Sequence, residues 1–262
     1  MELNEAFRPF LTECEADYVI RYSQTDRLES VETVFPVKNS FHVVRDRSGR
    51  LCRRFYDTAC EDRPYATGWY NWEERTADIE FLPCGKGILR TIGNCFYHVG
   101  WESLLMHENR MVLHASCVDT ALGGILFSGV SGSGKSTQAD LWVRCENGRL
   151  INGDRTILHQ KDGTWMGYGS PYAGSSECYV NEGVPVRAIV FPEKAESCSL
   201  EPIAQAAAFK RIFSGMTVNG WNPAFVDAAC QFVEKLIQDV PVYLLKCTKD
   251  REAVETLKEA LA

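Results

Sequence analysis

Nowhere in the chain do two cysteines stand as Cys-x2-Cys, and no His-x3-His or His-Glu-x2-His occurs. A zinc ribbon, a thioredoxin-like redox pair and a histidine-built metal site are therefore not expected. The eleven cysteines are odd in number and scattered from Cys14 to Cys247. That pattern suits free, buried thiols in a reducing compartment better than a disulfide framework. No uninterrupted apolar run approaches the ~18 residues of a membrane span. The first residues lack the basic-then-apolar order of a secretory signal. No Lys/Arg run offsets a net charge of -7, so neither nucleic acid nor an anionic membrane is an expected partner. A cytoplasmic location is the expectation. Low-complexity linkers and internal repeats are also missing.

What remains is a chain of 262 residues, 45% hydrophobic and 24% charged, enough for one large domain or two small ones with a real core. Its most informative stretch is Gly129-Val-Ser131-Gly132-Ser133-Gly134-Lys135-Ser136-Thr137, between the apolar run 124–128 and the helix-like segment 138–144. Strand, glycine-rich loop and helix in that order form a nucleotide-binding pattern. Glycines permit the φ values and the close approach that let backbone N–H groups surround an anion. Lys135 then reaches the β- and γ-phosphates of ATP, Ser136 ligates Mg²⁺, and the helix N-terminus adds its positive dipole end. The cofactor-contacting set is thus Gly129, Ser131, Gly132, Ser133, Gly134, Lys135, Ser136 and Thr137.

Upstream, residues 16–22, 41–45, 51–56 and 77–82 read as strands, with 46–49 as a hairpin turn. Residues 87–106 read as one long helix, Ile88, Ile92, Phe96 and Val99 lying on its apolar face despite Gly93 and Gly100. His98 and His107 on it are surface or satisfied core groups. Strands at 110–119 and 124–128 flank a turn at 122–124, which puts His114 and Asp119 on the strand that pairs with the loop's own strand. A short strand at 150–155 ends in Asp154 and Arg155, the place of a Mg²⁺-side carboxylate. The segment 170–177, with Ser175, Ser176 and Glu177, serves equally as a substrate- or phosphate-contacting loop or as an ordinary turn. Residues 163–169, 184–191 and 241–246 read as strands, and 202–213, 223–240 and 251–262 as helices. The domain boundary is placed near 109, giving a β-rich N-terminal region with a long helix (1–109) and a kinase core (110–262).

From His114 to Arg155 the chain resembles the HPr kinase/phosphorylase family and its structural relative, ATP-dependent phosphoenolpyruvate carboxykinase. In that family a histidine precedes the first loop glycine by fifteen residues and an aspartate follows the histidine by five; His114, Asp119 and Gly129 keep those spacings. The family then shows Asp-Asp-Arg, the first aspartate acting as base and the second sitting beside Mg²⁺. Here the triplet is Gly153-Asp154-Arg155, so the metal-side residue is matched and the base is not. The resemblance implies an α/β (α+β) fold, a phosphate-loop core on a mixed sheet with flanking helices. The layout of the whole chain is similar to HPr-kinase-related proteins, including kinases that phosphorylate lasso-peptide precursors.

The function expected from these residues is ATP- and Mg²⁺-dependent phosphoryl transfer to a hydroxyl, serine or threonine of a peptide or small protein. His114, Asp119 or Glu177 could accept the proton, and His114 is favoured because the family places it at the phosphate end of the site. Equally, His114 could be a strand histidine satisfied by a backbone carbonyl. Arg155, Lys210 and Arg211 are candidates for neutralising the transferred group. The alternatives are a nucleotide-binding regulatory module that has lost its chemistry and a kinase of a small-molecule hydroxyl. A homo-oligomer is compatible with all three.

Overall fold

Residues 4–37, 41–57, 60–86 and 91–262 are described by the computed structural model. They fall into two units, Met1–Glu5 with Leu11–His107, and Ala6–Phe10 with Glu108–Ala262. Both carry a mixed sheet with helices, so the chain is α/β.

The first unit is a six-stranded sheet of β1 (Val19–Gln24), β2 (Glu32–Pro36), β3 (Phe41–Arg45), β4 (Leu51–Asp57), β5 (Cys60–Asn71) and β6 (Thr76–Phe81), in the order β1-β6-β5-β4-β3-β2. Only the β1–β6 pair is parallel. Period-two burial drives β6, where Ala77, Ile79 and Phe81 point inward. The β3–β4 turn closes as its residues suggest. Asp46 Oδ1 accepts from the N–H and hydroxyl of Ser48 and from the Arg50 N–H, with Gly49 at φ 87°. Two strands escape sequence patterning: β2 is exposed along its length, and β5 contains Pro64, which pairs with Tyr56 at a register shift.

The expected 87–106 helix is two helices, α1 (Ile92–Val99) and α2 (Trp101–His107). Its start, Ile88 included, lies outside the described residues. The break is at Gly100, left-handed at φ 67°, whose N–H bonds back to Phe96 O and Tyr97 O. A Cβ there would meet Trp72 at 3.0 Å and Arg53 at 3.3 Å. Arg53, buried on β4, forms an ion pair with Glu102 of α2 at 2.7 Å and donates to Ser103 Oγ at 2.9 Å. His98 is fully buried: Tyr65 OH lies 2.7 Å from its Nε2, and its Nδ1 bonds to the Asn94 carbonyl.

The second unit contains β7 (Arg110–Thr120), β8 (Gly123–Ser128), α3 (Lys135–Glu146), β9 (Arg149–Asn152), β10 (Arg155–Lys161), β11 (Thr164–Tyr168), β12 (Gly183–Lys194), β13 (Ser199–Pro202), α4 (Gln205–Gly215), α5 (Pro223–Asp239), β14 (Val242–Cys247) and α6 (Arg251–Leu261). The sheet runs β11-β10-β7-β8-β12-β14-β13, with β9 also on β7. Strand β12 is parallel to β8 and β14; the other pairs are antiparallel. Because β11 also pairs with the start of β12, strands β7, β8, β12, β11 and β10 close a circuit of pairings.

Helices α3 and α6 bury Trp142, Leu141, Val254 and Leu257 against Val118, Ile125, Phe127 and Val190. Leu126 and Ile189, pointing to the other face of the same strands, are also fully buried. Both faces of the central strands are thus covered, which is why their sequences read as continuous apolar runs. Helix α4 starts at Gln205 rather than 202, because Pro202 ends β13. Helix α5 starts after the Asn222 cap, with Pro223 in its first turn. All cysteines with described side chains are free. Among the described residues, no helix is long and apolar enough to cross a membrane.

Candidate functional site

The glycine-rich segment is the connection between the end of β8 at Ser128 and the start of α3 at Lys135. Gly129, Gly132 and Gly134 hold φ values of 143°, 78° and 110°, a backbone that side-chain-bearing residues adopt only with strain. Nothing lies within 4 Å of a Cβ built on Gly132, and Val130, Ser131 and Gly132 are exposed. Gly134 caps α3 with no side-chain hydrogen bond, so the helix presents its first N–H groups without a protein side chain over them. Ser133 Oγ is buried without a hydrogen-bond partner. An exposed glycine backbone leading into a helix start with no side-chain cap fits an anion of the size of a phosphate group.

Lys135 is only 8% exposed, and its ammonium donates to Gly129 O at 2.9 Å and Val130 O at 3.2 Å. Burial holds its pKa below the ordinary lysine value; the Asp154 charge opposes that shift and Arg155 adds to it. Ser136 is exposed in the first turn of α3 and Thr137 is partly buried behind it.

The second half of the site comes from an interruption in a strand. β9 and β10 both run antiparallel along β7, and Gly153 and Asp154 form a break between them. Asp154 is therefore not the end of a strand, as the sequence suggests, but the middle of a bulge that re-aims it. Asn152, fully buried, ties the bulge together. Its Oδ1 accepts from the N–H groups of Asp154 at 2.9 Å and Arg155 at 2.6 Å, and its Nδ2 donates to Ser170 and to Tyr172 O. Ser116 Oγ donates to Gly153 O at 2.9 Å, and the Ala115 N–H donates to Asp154 O at 3.0 Å.

The bulge turns the Asp154 carboxylate to His114 on β7, with His114 Nε2 to Asp154 Oδ1 at 3.0 Å. Arg155 Nε lies 3.3 Å from Asp154 Oδ2. The Arg155 guanidinium also donates to Thr217 Oγ1 at 3.4 Å and sits 5.6 Å from the Tyr172 ring centre. The His114 pKa is held below the ordinary histidine value, first by burial and then by the Lys135 and Arg155 charges, against the opposing pull of Asp154. Nε2 is the ring nitrogen that faces the carboxylate. The same electrostatic coupling joins Lys135, Asp154 and Arg155 into one cluster.

Asp119 does not join them. Five residues of extended strand separate it from His114 by roughly 16 Å, and it pairs instead with Arg149 at 3.4 Å, which also binds Glu182 at 2.7 Å. Equal spacing in sequence does not bring it to the loop. The 170–177 segment packs directly on the bulge: a Cβ at Gly153 would lie 2.2 Å from Ser176 Oγ, and one at Gly174 2.9 Å from Asp154 Cβ. Ser175 and Glu177 are exposed beside them, Glu177 in a left-handed conformation at φ 49°. Arg211, on α4, stacks 5.5 Å from the Phe191 ring centre, and Phe191 borders Gly129. Lys210 is exposed on the same helix. Ser170 and Tyr172 lie in the 170–177 segment that the sequence offers as a substrate-contacting loop or a turn, whereas Asn152 and Thr217 are not legible as site residues from the sequence. Only Asn152 carries a signal, since Asn-Gly-Asp is turn chemistry inside a β-type run.

For a divalent cation, the fitting donors are the Ser136 hydroxyl and the Asp154 carboxylate. One hydroxyl and one carboxylate, completed by phosphate oxygens and water, suit Mg²⁺. Among the described residues, no group of three or more His, Cys, Asp and Glu could hold a metal ion.

No family model matches the chain, and no curated protein matches it. Among solved structures, it is similar to the Hpr(Ser) kinase/phosphatase from Coxiella burnetii, at 17% identity and a TM-score of 0.33, over 57% of this chain and 87% of that one. Likeness of that degree carries no weight here, and the functional reading rests on the residues of the site.

Proposed function

We propose that the chain is an ATP- and Mg²⁺-dependent phosphotransferase acting on a hydroxyl, that of serine or threonine in a peptide or small protein. The observation that carries this reading is the juxtaposition of two features. An open glycine loop leads into the uncapped start of α3, and the cluster of His114, Lys135, Asp154 and Arg155 lies coupled beside it. When bound, Mg-ATP supplies the γ-phosphoryl group and a divalent charge that neutralises its oxygens.

The chain's own residues do the rest. Backbone N–H groups of 129–137 cradle the β- and γ-phosphates, and Lys135 exchanges its two loop carbonyls for phosphate oxygens. Ser136 and Asp154 would hold the metal. Arg155, braced by Thr217 and Tyr172, neutralises charge that develops on the transferred group. His114 Nδ1 accepts the proton of the attacking hydroxyl, while Asp154 holds the ring through Nε2. A loose transition state needs positioning and charge neutralisation more than a strong base, so glycine at 153 is compatible with turnover.

The packing of Ser176 over Gly153 favours a second reading as well. With that position closed, the chain would be a nucleotide-binding regulatory module that turns nothing over. Transfer of label from γ-labelled ATP to serine- and threonine-containing peptides separates the two. Phosphotransfer that falls ~10²–10⁴-fold in His114→Ala under single turnover is the expected result. A loss of less than about tenfold moves the base elsewhere, and ATP binding with no transfer to any hydroxyl supports the regulatory reading.

A further inference from the structure

We propose that Ser176 is a phosphorylation site of this chain, with the chain's own bound nucleotide as donor. The inference rests on the phosphotransferase reading above and names an acceptor for it. Gly153 stands beside Asp154 at the break between β9 and β10, and a Cβ built on it would lie 2.2 Å from Ser176 Oγ and 2.4 Å from Ser176 Cβ. The serine therefore fills the space that a side chain at 153 would take. On the same turn, a Cβ at Gly174 would lie 3.5 Å from Asp154 Oδ2. The turn thus sets the Ser176 hydroxyl against Gly153, the residue before the carboxylate that pairs with His114 and Arg155, and sets Gly174 against that carboxylate's own side chain.

That hydroxyl is held in place. Ser176 Oγ donates to Ala173 O at 2.6 Å and accepts from the Cys178 N–H at 3.3 Å. Both ends of the turn are anchored to β9, Tyr172 O by Asn152 Nδ2 at 3.2 Å and the Cys178 thiol by Leu150 O at 3.2 Å. Residues 174–177 are nonetheless exposed, so a nucleotide can approach.

In the transfer, Ser176 Oγ attacks the γ-phosphorus in line. A new P–O bond forms as the bond to the β–γ bridging oxygen breaks. ADP leaves with that electron pair, and the hydroxyl proton passes to His114 Nδ1. Ser175 is exposed in the same turn but is not the residue set against Gly153.

The test is incubation of the full chain with ATP and Mg²⁺, tryptic digestion and fragmentation of the peptide 162–187. Calorimetric ATP binding is measured on the same samples. The expected result is one phosphoryl group on Ser176, absent in Ser176→Ala and Lys135→Ala and retained in Ser175→Ala. Wild-type protein that binds ATP but carries no phosphate on Ser176, or carries it on another residue, overturns this inference and leaves the phosphotransferase reading standing. Failure of the wild type to bind ATP overturns that reading itself. Should Ser176→Ala lose ATP binding, localisation of the phosphate in the wild type decides the matter.

Discussion

His98 shows how far a single buried side chain can set the pH response of its unit. Burial pushes its pKa down to about 4, with the Asn94 carbonyl opposing, because Phe55, Tyr65 and Tyr97 surround the ring and leave no water to hydrate a cation. The unfolded chain, with a histidine near its ordinary value, takes up the proton first as pH falls. Stability is therefore complete above about pH 6.5 and is lost as pH falls toward about 4, at ~1.4 kcal/mol per pH unit in between. Urea unfolding of the first unit should lose about 2 kcal/mol more between roughly pH 7 and pH 5 in the wild type than in His98→Gln. Equal losses in the two proteins would show that the imidazole does not titrate this way. The sequence left His98 open between surface and core, since nothing local to α1 signals that Phe55 and Tyr65 are brought in from β4 and β5.

At the scale of elements, the strand–loop–helix of 124–146 was legible because its determinants are contiguous: an apolar run, glycines, then a helix former. The β9–β10 break was not. It depends on Asn152 binding its own neighbours while reaching Ser170 and Tyr172, contacts that exist only once the sheet has formed. Asp119 was misplaced for the related reason that spacing along a strand measures distance, not proximity to a loop. Gly100 ended a helix that apolar periodicity alone carried through.

The break also makes a prediction about Gly153. Restoring an aspartate there drives its Cβ into Ser176, so Gly153→Asp should cost ~1–3 kcal/mol of stability as an overpacked site. Because Ser176 Cβ is itself 2.4 Å away, Ser176→Gly rather than Ser176→Ala should relieve the clash. A double-mutant cycle read by thermal unfolding is expected to show the two substitutions strongly non-additive. Additive effects would mean that the turn does not rest on Gly153.

For the whole molecule, the relevant contrast is between a net charge of -7 and the cations gathered around one loop. Lys135 and Arg155 lie in the cluster, and Arg211 stands on Phe191 beside Gly129. An acidic chain with a local cluster of cations focuses an anionic ligand onto that point. All the residues offered for nucleotide, metal and proton handling belong to the second unit. The first unit contributes a sheet whose strands β2 and β5 sequence patterning missed, and none of the proposed chemistry.

Calorimetric titration of the full chain with ATP in the presence of Mg²⁺, wild type against Lys135→Ala, tests the central claim most directly. Saturable one-to-one binding that weakens by about tenfold or more in the variant is predicted, the scale of losing a charge-assisted hydrogen bond of ~1.5–3 kcal/mol. Unchanged affinity in Lys135→Ala, or no binding by the wild type, would contradict the account.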